Sequence, residues 1–186
     1  MIIGLAGYAG SGKDTVGRVL STGYGFERVA FADKVREMAL RINPVIADSG
    51  GNLYPVSAAV EAMGWDEAKR EPAVRKMLQR IGASVRDIIG PDAWVDAAMH
   101  DKITYGKSYV ITDVRYPNEL GFIRDMRGVV WWVERAGVGP VNSHESENSI
   151  TKEDADLTVD NSGSMSYLSG AVQEAIIASD YLVGGA

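Results

Sequence analysis

Cysteine is absent from this chain, and histidine occurs only at His100 and His144. The first absence removes disulfides, thiolate nucleophiles and Cys-based zinc sites together. The second leaves too few imidazoles for a histidine-rich metal site. No apolar run approaches the roughly 18 residues that cross a bilayer, and the N-terminal strand lacks the basic flank and cleavage site of a signal peptide. The expectation is a soluble, cytoplasmic protein with no membrane partner. Basic residues are not in surplus either: Lys and Arg number 19 against 25 Asp and Glu, a net charge of -6. That balance argues against a surface for polymeric nucleic acid, which works by neutralising many phosphates, so any phosphate recognition must be local. Internal repeats and low-complexity tracts are also missing. What remains is ordinary globular composition, 46% hydrophobic and 24% charged over 186 residues. That suits one domain with a real core and perhaps a small insertion.

Against this plain background one segment stands out. The apolar run Ile2-Ile3-Gly4-Leu5-Ala6 leads directly into Gly7-Tyr8-Ala9-Gly10-Ser11-Gly12-Lys13-Asp14-Thr15. Strand, glycine-rich loop and helix start are the context that makes G-x-x-x-x-G-K a phosphate-binding loop. Gly7, Gly10 and Gly12 let consecutive backbone N–H groups turn inward around phosphate oxygens, with Ala9 and Ser11 between them. Lys13 opens a helix whose unpaired N–H groups and dipole already favour an anion. Asp14 occupies the slot usually held by Ser or Thr, and Thr15 follows it.

Further apolar, β-branched runs recur at Arg28 to Phe31, Tyr109 to Thr112, Val129 to Val133 and Leu157 to Val159, with helical patterns between most of them. This alternation predicts an α/β fold in which a mainly parallel, five-stranded sheet is flanked by helices, with its site at the carboxyl ends of the strands. Pro117-Asn118-Glu119 opens a helix that Gly128 stops. Asn43 to Tyr54 reads as a loop, and Ser57 to Arg70 as a helix with Ser57 as its cap. The expected organisation is a single domain over 1–186, with a helical substrate-binding excursion at about 43–106 and a lid loop at about 135–150. His144, Glu145 and Glu147 lie in that polar loop.

Pro72 to Ile89 carries the clearest helical period, with Val74, Leu78, Ile81, Val85 and Ile88 on one face. Lys76, Arg80, Ser84 and Asp87 fall opposite and should be solvated. Arg75, Gln79, Gly82 and Arg86 lie within about 60° of one another on the boundary, where a cleft wall would be. Two such guanidiniums suit a monophosphate, and an ordinary amphipathic helix with solvated arginines accounts for the same spacing. Gly82 in mid-helix suggests close approach of a ligand or of another backbone. Asp113 ends a strand, where it can serve a nucleotide's magnesium or cap the next turn, and Arg115 follows on the loop. Arg135 ends the fourth strand, where a guanidinium can neutralise a phosphoryl group in transfer. Trp94, Trp131 and Trp132 offer rings for a base or for the core.

Taken together, these residues resemble the bacteriophage type of deoxynucleoside monophosphate kinase, a P-loop kinase of small molecules. The resemblance rests on Gly10 to Thr15, Arg75 to Gly82, Trp94-Val95, Ile111 to Arg115, Asp156-Leu157 and Asn161-Ser162-Gly163-Ser164. It spans most of the chain in the family's order and leaves Asn43 to Arg70 unmatched. It implies a P-loop three-layer sandwich with lid and substrate-binding insertions. The implied reaction is phosphoryl transfer from Mg-ATP to a deoxynucleoside 5′-monophosphate, in the host cytoplasm if the chain is phage-encoded. The Lys-Asp-Thr sequence is the family's own variant, so Asp14 and Thr15 become the implied magnesium ligands. Arg75, Arg86 and Arg36 become phosphate contacts of the acceptor, with Asp33, Gln79, Asp113 and Trp94 toward its sugar or base. Lys13, Arg115 and Arg135 become the catalytic cations, and Asn161 and Gly163 belong to a turn that packs against adenine. A homodimer is compatible with the sequence.

Two rival readings accompany this one. A phosphomevalonate or dephospho-coenzyme A kinase shares the loop and differs in acceptor. A GTP-binding switch is suggested by Asp48-Ser49-Gly50-Gly51, which fits D-x-x-G, and by Thr151-Lys152-Glu153-Asp154, which fits T-K-x-D.

Overall fold

The computed structural model describes residues 1–100, 102, 106–140 and 149–184. The chain divides into two compact units, one made of Met1–Ala30 with Met99–Ala186 and the other of Phe31–Ala98.

The first unit is built on β1 (Ile2–Ala6), and all five residues of that strand are buried. A strand buried on both faces needs a neighbour on each side and helices above and below. The neighbours are β2 (Glu27–Val29), β3 (Tyr109–Ile111), β4 (Val129–Glu134) and β5 (Leu157–Asp160). They form one sheet in the order β2-β3-β1-β4-β5, with every neighbouring pair parallel. The expected five-stranded parallel sheet is present. Helices α1 (Lys13–Tyr24), α2 (Pro117–Asp125) and α3 (Met165–Gly184) belong to the same unit. Leu5, Val16, Leu20, Val133, Leu168 and Val172 meet in its core. Trp131 is fully buried there, and its indole N–H donates to Ser179 Oγ at 2.9 Å. Its role is packing, with its one polar atom satisfied.

The second unit contains the helices α4 (Phe31–Ile42), α5 (Val56–Ala68) and α6 (Pro72–Ile88), and most of α7 (Ala93–Met99). It spans Phe31–Ala98, and within it α4 docks on α6 and on α5. Phe31, expected to finish a strand, is instead the buried first residue of α4.

Asn43 to Tyr54, expected as a loop, contains an antiparallel hairpin of β6 (Val45–Ala47) and β7 (Leu53–Pro55). Asp48 closes its turn. One carboxylate oxygen accepts the N–H groups of Gly50 and Asn52, both at 2.8 Å, and the other accepts Asn52 Nδ2 at 2.9 Å. Ser57 is not a cap, because α5 begins at Val56 and the Ser57 N–H donates to Asn43 Oδ1 at 3.0 Å. On α6, Val74 is fully buried, while Ile88 is 83% exposed and ends the apolar face one turn earlier than its period suggests.

Candidate active site

The phosphate loop follows β1 as the sequence requires. Gly7 has φ 135°, Gly10 φ 84° and Gly12 φ 94°. At Gly7 a Cβ would run into the Val133 carbonyl of β4, and at Gly12 into the side-chain nitrogen of Asn161. Both positions therefore need glycine for space as well as for backbone conformation. The Gly12 carbonyl accepts the N–H groups of Thr15 and Val16, at 2.9 and 3.0 Å, and so starts α1.

Lys13 turns back over the loop and donates to the carbonyls of Gly7, at 2.6 Å, and Tyr8, at 2.9 Å. Its ammonium thus sits over the ring of peptides it closes. Ser11 is buried at 1% exposure, and its hydroxyl has no hydrogen-bond partner among the described residues. A buried, unsatisfied hydroxyl inside an amide-lined turn is unfavourable unless a further polar group joins it. A phosphate oxygen satisfies that requirement, so the residues present fit a nucleotide's phosphates.

Asp14 and Thr15 occupy the first turn of α1. Thr15 is half-buried, whereas Asp14 is 76% exposed and has Arg28 on β2 at 3.6 Å. Among the described residues no three Asp, Glu or His side chains are grouped as a metal cage. Asp14 and Thr15 each offer an oxygen donor, the ligand chemistry that magnesium takes.

Asp113 lies just past β3 and is half-buried. The Val114 N–H donates to the Leu5 carbonyl at 3.1 Å, which holds this segment beside the end of β1. Arg115 follows, and its N–H donates to Glu119 Oε2 at 2.6 Å, as does that of Tyr116 at 3.1 Å. Glu119 is buried, so one carboxylate fixes the loop that carries Asp113 and Arg115. The Pro-Asn-Glu helix start was readable, but the reach of Glu119 back to Arg115 was not.

On the other side of β1 the strand ends form a cavity of about 460 Å³, lined by Tyr8, Ser11, Trp132, Arg135, Lys152 and Ser162 among others. Tyr8 meets Trp132 edge to face, with centroids 5.3 Å apart. Lys152 donates to Glu134 Oε2 at 2.6 Å. The turn after β5 closes the cavity through two bonds, one to the last residue of β4 and one to the loop that follows it. The Asn161 N–H donates to the Glu134 carbonyl, and the Ala136 N–H to Ser162 Oγ, both at 2.8 Å. Hydrogen bonds from Ser162, its side chain first and its backbone second, hold the Asp160 carboxyl below its usual value, with a smaller share from Tyr167. Gly163 lies against the Tyr167 ring. Asn161 places its side chain on the phosphate loop, donating from Nδ2 to the Ser11 carbonyl at 2.8 Å. Trp132, read from the sequence as a ring for a base or for the core, lines this cavity, as does Lys152 of the T-K-x-D fragment, whereas nothing in the sequence separates the Tyr8 ring from the rest of its loop.

The remaining candidates lie in the second unit. Asp33 and Arg36 pair on α4, with NH1 donating to Oδ1 at 2.9 Å. Arg75, Gln79 and Arg86 lie on α6, with Arg75 exposed and the other two half-buried. Trp94 is 6% exposed, and its indole N–H donates to the Gly82 carbonyl at 3.0 Å. Apart from its own turn of helix, no atom of the described residues lies within 4 Å of where a Gly82 Cβ would sit, so no other backbone among them approaches there. His144, Glu145, Glu147 and most of the expected lid loop lie outside the described residues.

The sequence matches the deoxynucleotide monophosphate kinase family over residues 54–172, more than half of the chain. The chain belongs to that family. It is therefore a kinase, and the matched span begins beyond the phosphate loop, which makes the loop an independent observation. A provisionally named deoxynucleotide monophosphate kinase of Acanthamoeba polyphaga mimivirus is 28% identical over 167 residues, 79% of this chain and 80% of that one. The deoxynucleotide monophosphate kinase of Escherichia phage RB69 is 27% identical over 107 residues, 55% of this chain and 44% of that one. Among solved structures, the shikimate kinase of Aquifex aeolicus aligns over 97% of each chain at 14% identity and TM-score 0.43.

The kinase also has local explanations for both fragments that suggested a GTP switch. Asp48 closes the hairpin turn described above. Asp154 caps a short turn, Lys152–Asp154, by accepting the Thr151 N–H at 2.7 Å and the Thr151 hydroxyl at 3.1 Å. Its carboxylate is engaged within the turn.

Proposed function

We propose that this kinase transfers the γ-phosphoryl group of Mg-ATP to the 5′-monophosphate of a deoxynucleoside, giving the diphosphate and ADP. The observation that carries the proposal is the phosphate loop, closed by Lys13 and holding the unpartnered Ser11 hydroxyl, in a chain of this family.

The loop amides from Gly7 to Thr15 hold the donor's phosphates, and Lys13 exchanges its two carbonyl partners for phosphate oxygens. The cavity between Tyr8, Trp132 and the turn carrying Asn161 and Gly163 receives the adenosine. Asp14 and Thr15 would hold magnesium, directly or through water, and the ion would supply charge neutralisation to the donor's phosphates. Arg75, Arg86 and Arg36 bind the acceptor's phosphate as guanidinium forks. Asp33, Gln79 and Asp113 fix its sugar or base, and Trp94 of α7 supports Gly82 of α6 through its indole N–H.

An acceptor oxygen forms the new bond to phosphorus as the bond to the ADP oxygen breaks. A monophosphate is already anionic, so no general base is needed. The protein's work is positioning and charge, with Arg115 and Arg135 neutralising the phosphoryl group in flight. An ADP-release screen tests the proposal, using nucleoside and deoxynucleoside monophosphates beside shikimate, phosphomevalonate and dephospho-coenzyme A. Release should depend on a deoxynucleoside monophosphate, and release with only one of the other acceptors would refute it.

A further inference from the structure

Asn161 stands 150 residues from Ser11 in the chain, yet its carboxamide is bonded to the Ser11 carbonyl at 2.8 Å. Only the NH₂ end of the carboxamide can donate to a carbonyl, so the orientation of the side chain is fixed by chemistry. The same nitrogen fills the space in which a Cβ of residue 12 would lie, so Gly12 and Asn161 are fitted to each other. The Asn161 backbone is held in turn, its N–H donating to the Glu134 carbonyl at 2.8 Å.

The consequence follows from peptide geometry. In a planar trans peptide the carbonyl and the N–H point to opposite sides. Tying the Ser11 carbonyl to Asn161 therefore directs the Gly12 N–H away from the Asn161 side chain. Gly12 is in the left-handed region at φ 94° and has no side chain to hold that peptide in place. Without an outside partner, the Ser11–Gly12 peptide is free to rotate and lose its aim.

We infer that Asn161 is a positioning residue for the donor's phosphates, aiming the Gly12 N–H through its bond to the Ser11 carbonyl. This goes further than membership of an adenine-packing turn, because the side chain acts on the loop and not on the base. It rests on the reading of the loop as the donor-nucleotide site.

The test compares wild type, Asn161→Ala and Asn161→Asp by calorimetric titration with Mg-ATP in the absence of acceptor, by steady-state kinetics and by thermal midpoint. Loss of one neutral hydrogen bond should weaken Mg-ATP binding about three- to tenfold in Asn161→Ala. The KM for ATP should rise in proportion, while the KM for the acceptor stays within about twofold. Asn161→Asp keeps the shape against Gly12 but cannot donate when ionised, so its loss should equal or exceed that of alanine. A purely space-filling role predicts the reverse, with the aspartate variant binding like wild type, and that result overturns the inference. So does unchanged Mg-ATP affinity in both variants. If alanine unfolds the protein, the near-isosteric aspartate variant still decides. A folded wild type that binds no Mg-ATP overturns the donor-site reading itself, which is distinguishable from failure of the variants alone.

Discussion

Asp14 lies 3.6 Å from Arg28, and both side chains are exposed. The carboxylate offered for magnesium thus has a cation as its neighbour on β2. Exposed pairs of this kind contribute little to stability, so the contact is easily exchanged for a metal ion. In a magnesium titration of the rate, Arg28→Ala should lower the half-saturating magnesium concentration by about two- to fivefold, as a weak competitor is removed. Asp14→Ala should raise it. Identical titration curves for wild type and both variants would take Asp14 and its neighbour out of the metal site.

Lys13 holds two loop carbonyls, and the same ammonium is assigned to the transferred phosphoryl group. Lys13→Ala should lower kcat by about a hundredfold or more, the scale on which a placed charge in a water-excluded site acts. The thermal midpoint should move little, because the lysine contributes no core packing. Initial rates and a melting curve on one preparation check both halves of the claim.

Arg75 and Arg135 are assigned to different stages and should separate kinetically. Arg75→Ala should raise the KM of the acceptor by about tenfold or more, with the KM of ATP unchanged, since it removes hydrogen bonds to a charged group. Arg135→Ala should instead lower kcat with both KM values within about twofold, as expected for a cation that acts on the phosphoryl group in transfer. A two-substrate kinetic matrix for each variant distinguishes the two patterns.

Asp160 gives a pH dependence of known sign. Its carboxyl is held below the ordinary 3.8 chiefly by Ser162. A carboxylate depressed in the folded state stabilises the fold fully above its unfolded pKa, and the contribution fades as pH falls through the lower folded value. Asp160→Asn should therefore be less stable than wild type near neutral pH, and the difference should shrink below about pH 4. Thermal midpoints of the two proteins from pH 2.5 to 7 check this.

Much of the first unit is legible in the sequence because burial on both faces leaves no alternative for Ile2 to Ala6 or Val129 to Val133. The phosphate loop is legible for the same kind of reason, since Gly7 and Gly12 are each forced by a neighbouring group. The hairpin of β6 and β7 is not legible because strands of three residues, exposed or half-buried throughout, are too short to carry an alternation. The cap of α5 escaped because Asn43 supplies it from before the hairpin, and local capping rules look only at adjacent residues. Tyr8 and Asn161 act through partners that only the fold brings near, Trp132 and Ser11, whereas Glu119 reaches back only three and four residues. Asp48 shows the opposite error, since a D-x-x-G match that suggested nucleotide chemistry is satisfied by its own turn.

The most direct measurement follows the phosphorus atom. Purified protein is incubated with ATP labelled at the γ-phosphorus, magnesium and each deoxynucleoside monophosphate in turn, and the products are separated. The expected result is label in at least one deoxynucleoside diphosphate, with ADP formed in equal amount. Folded protein that leaves every monophosphate unlabelled, or that transfers the label only to water, contradicts the assignment.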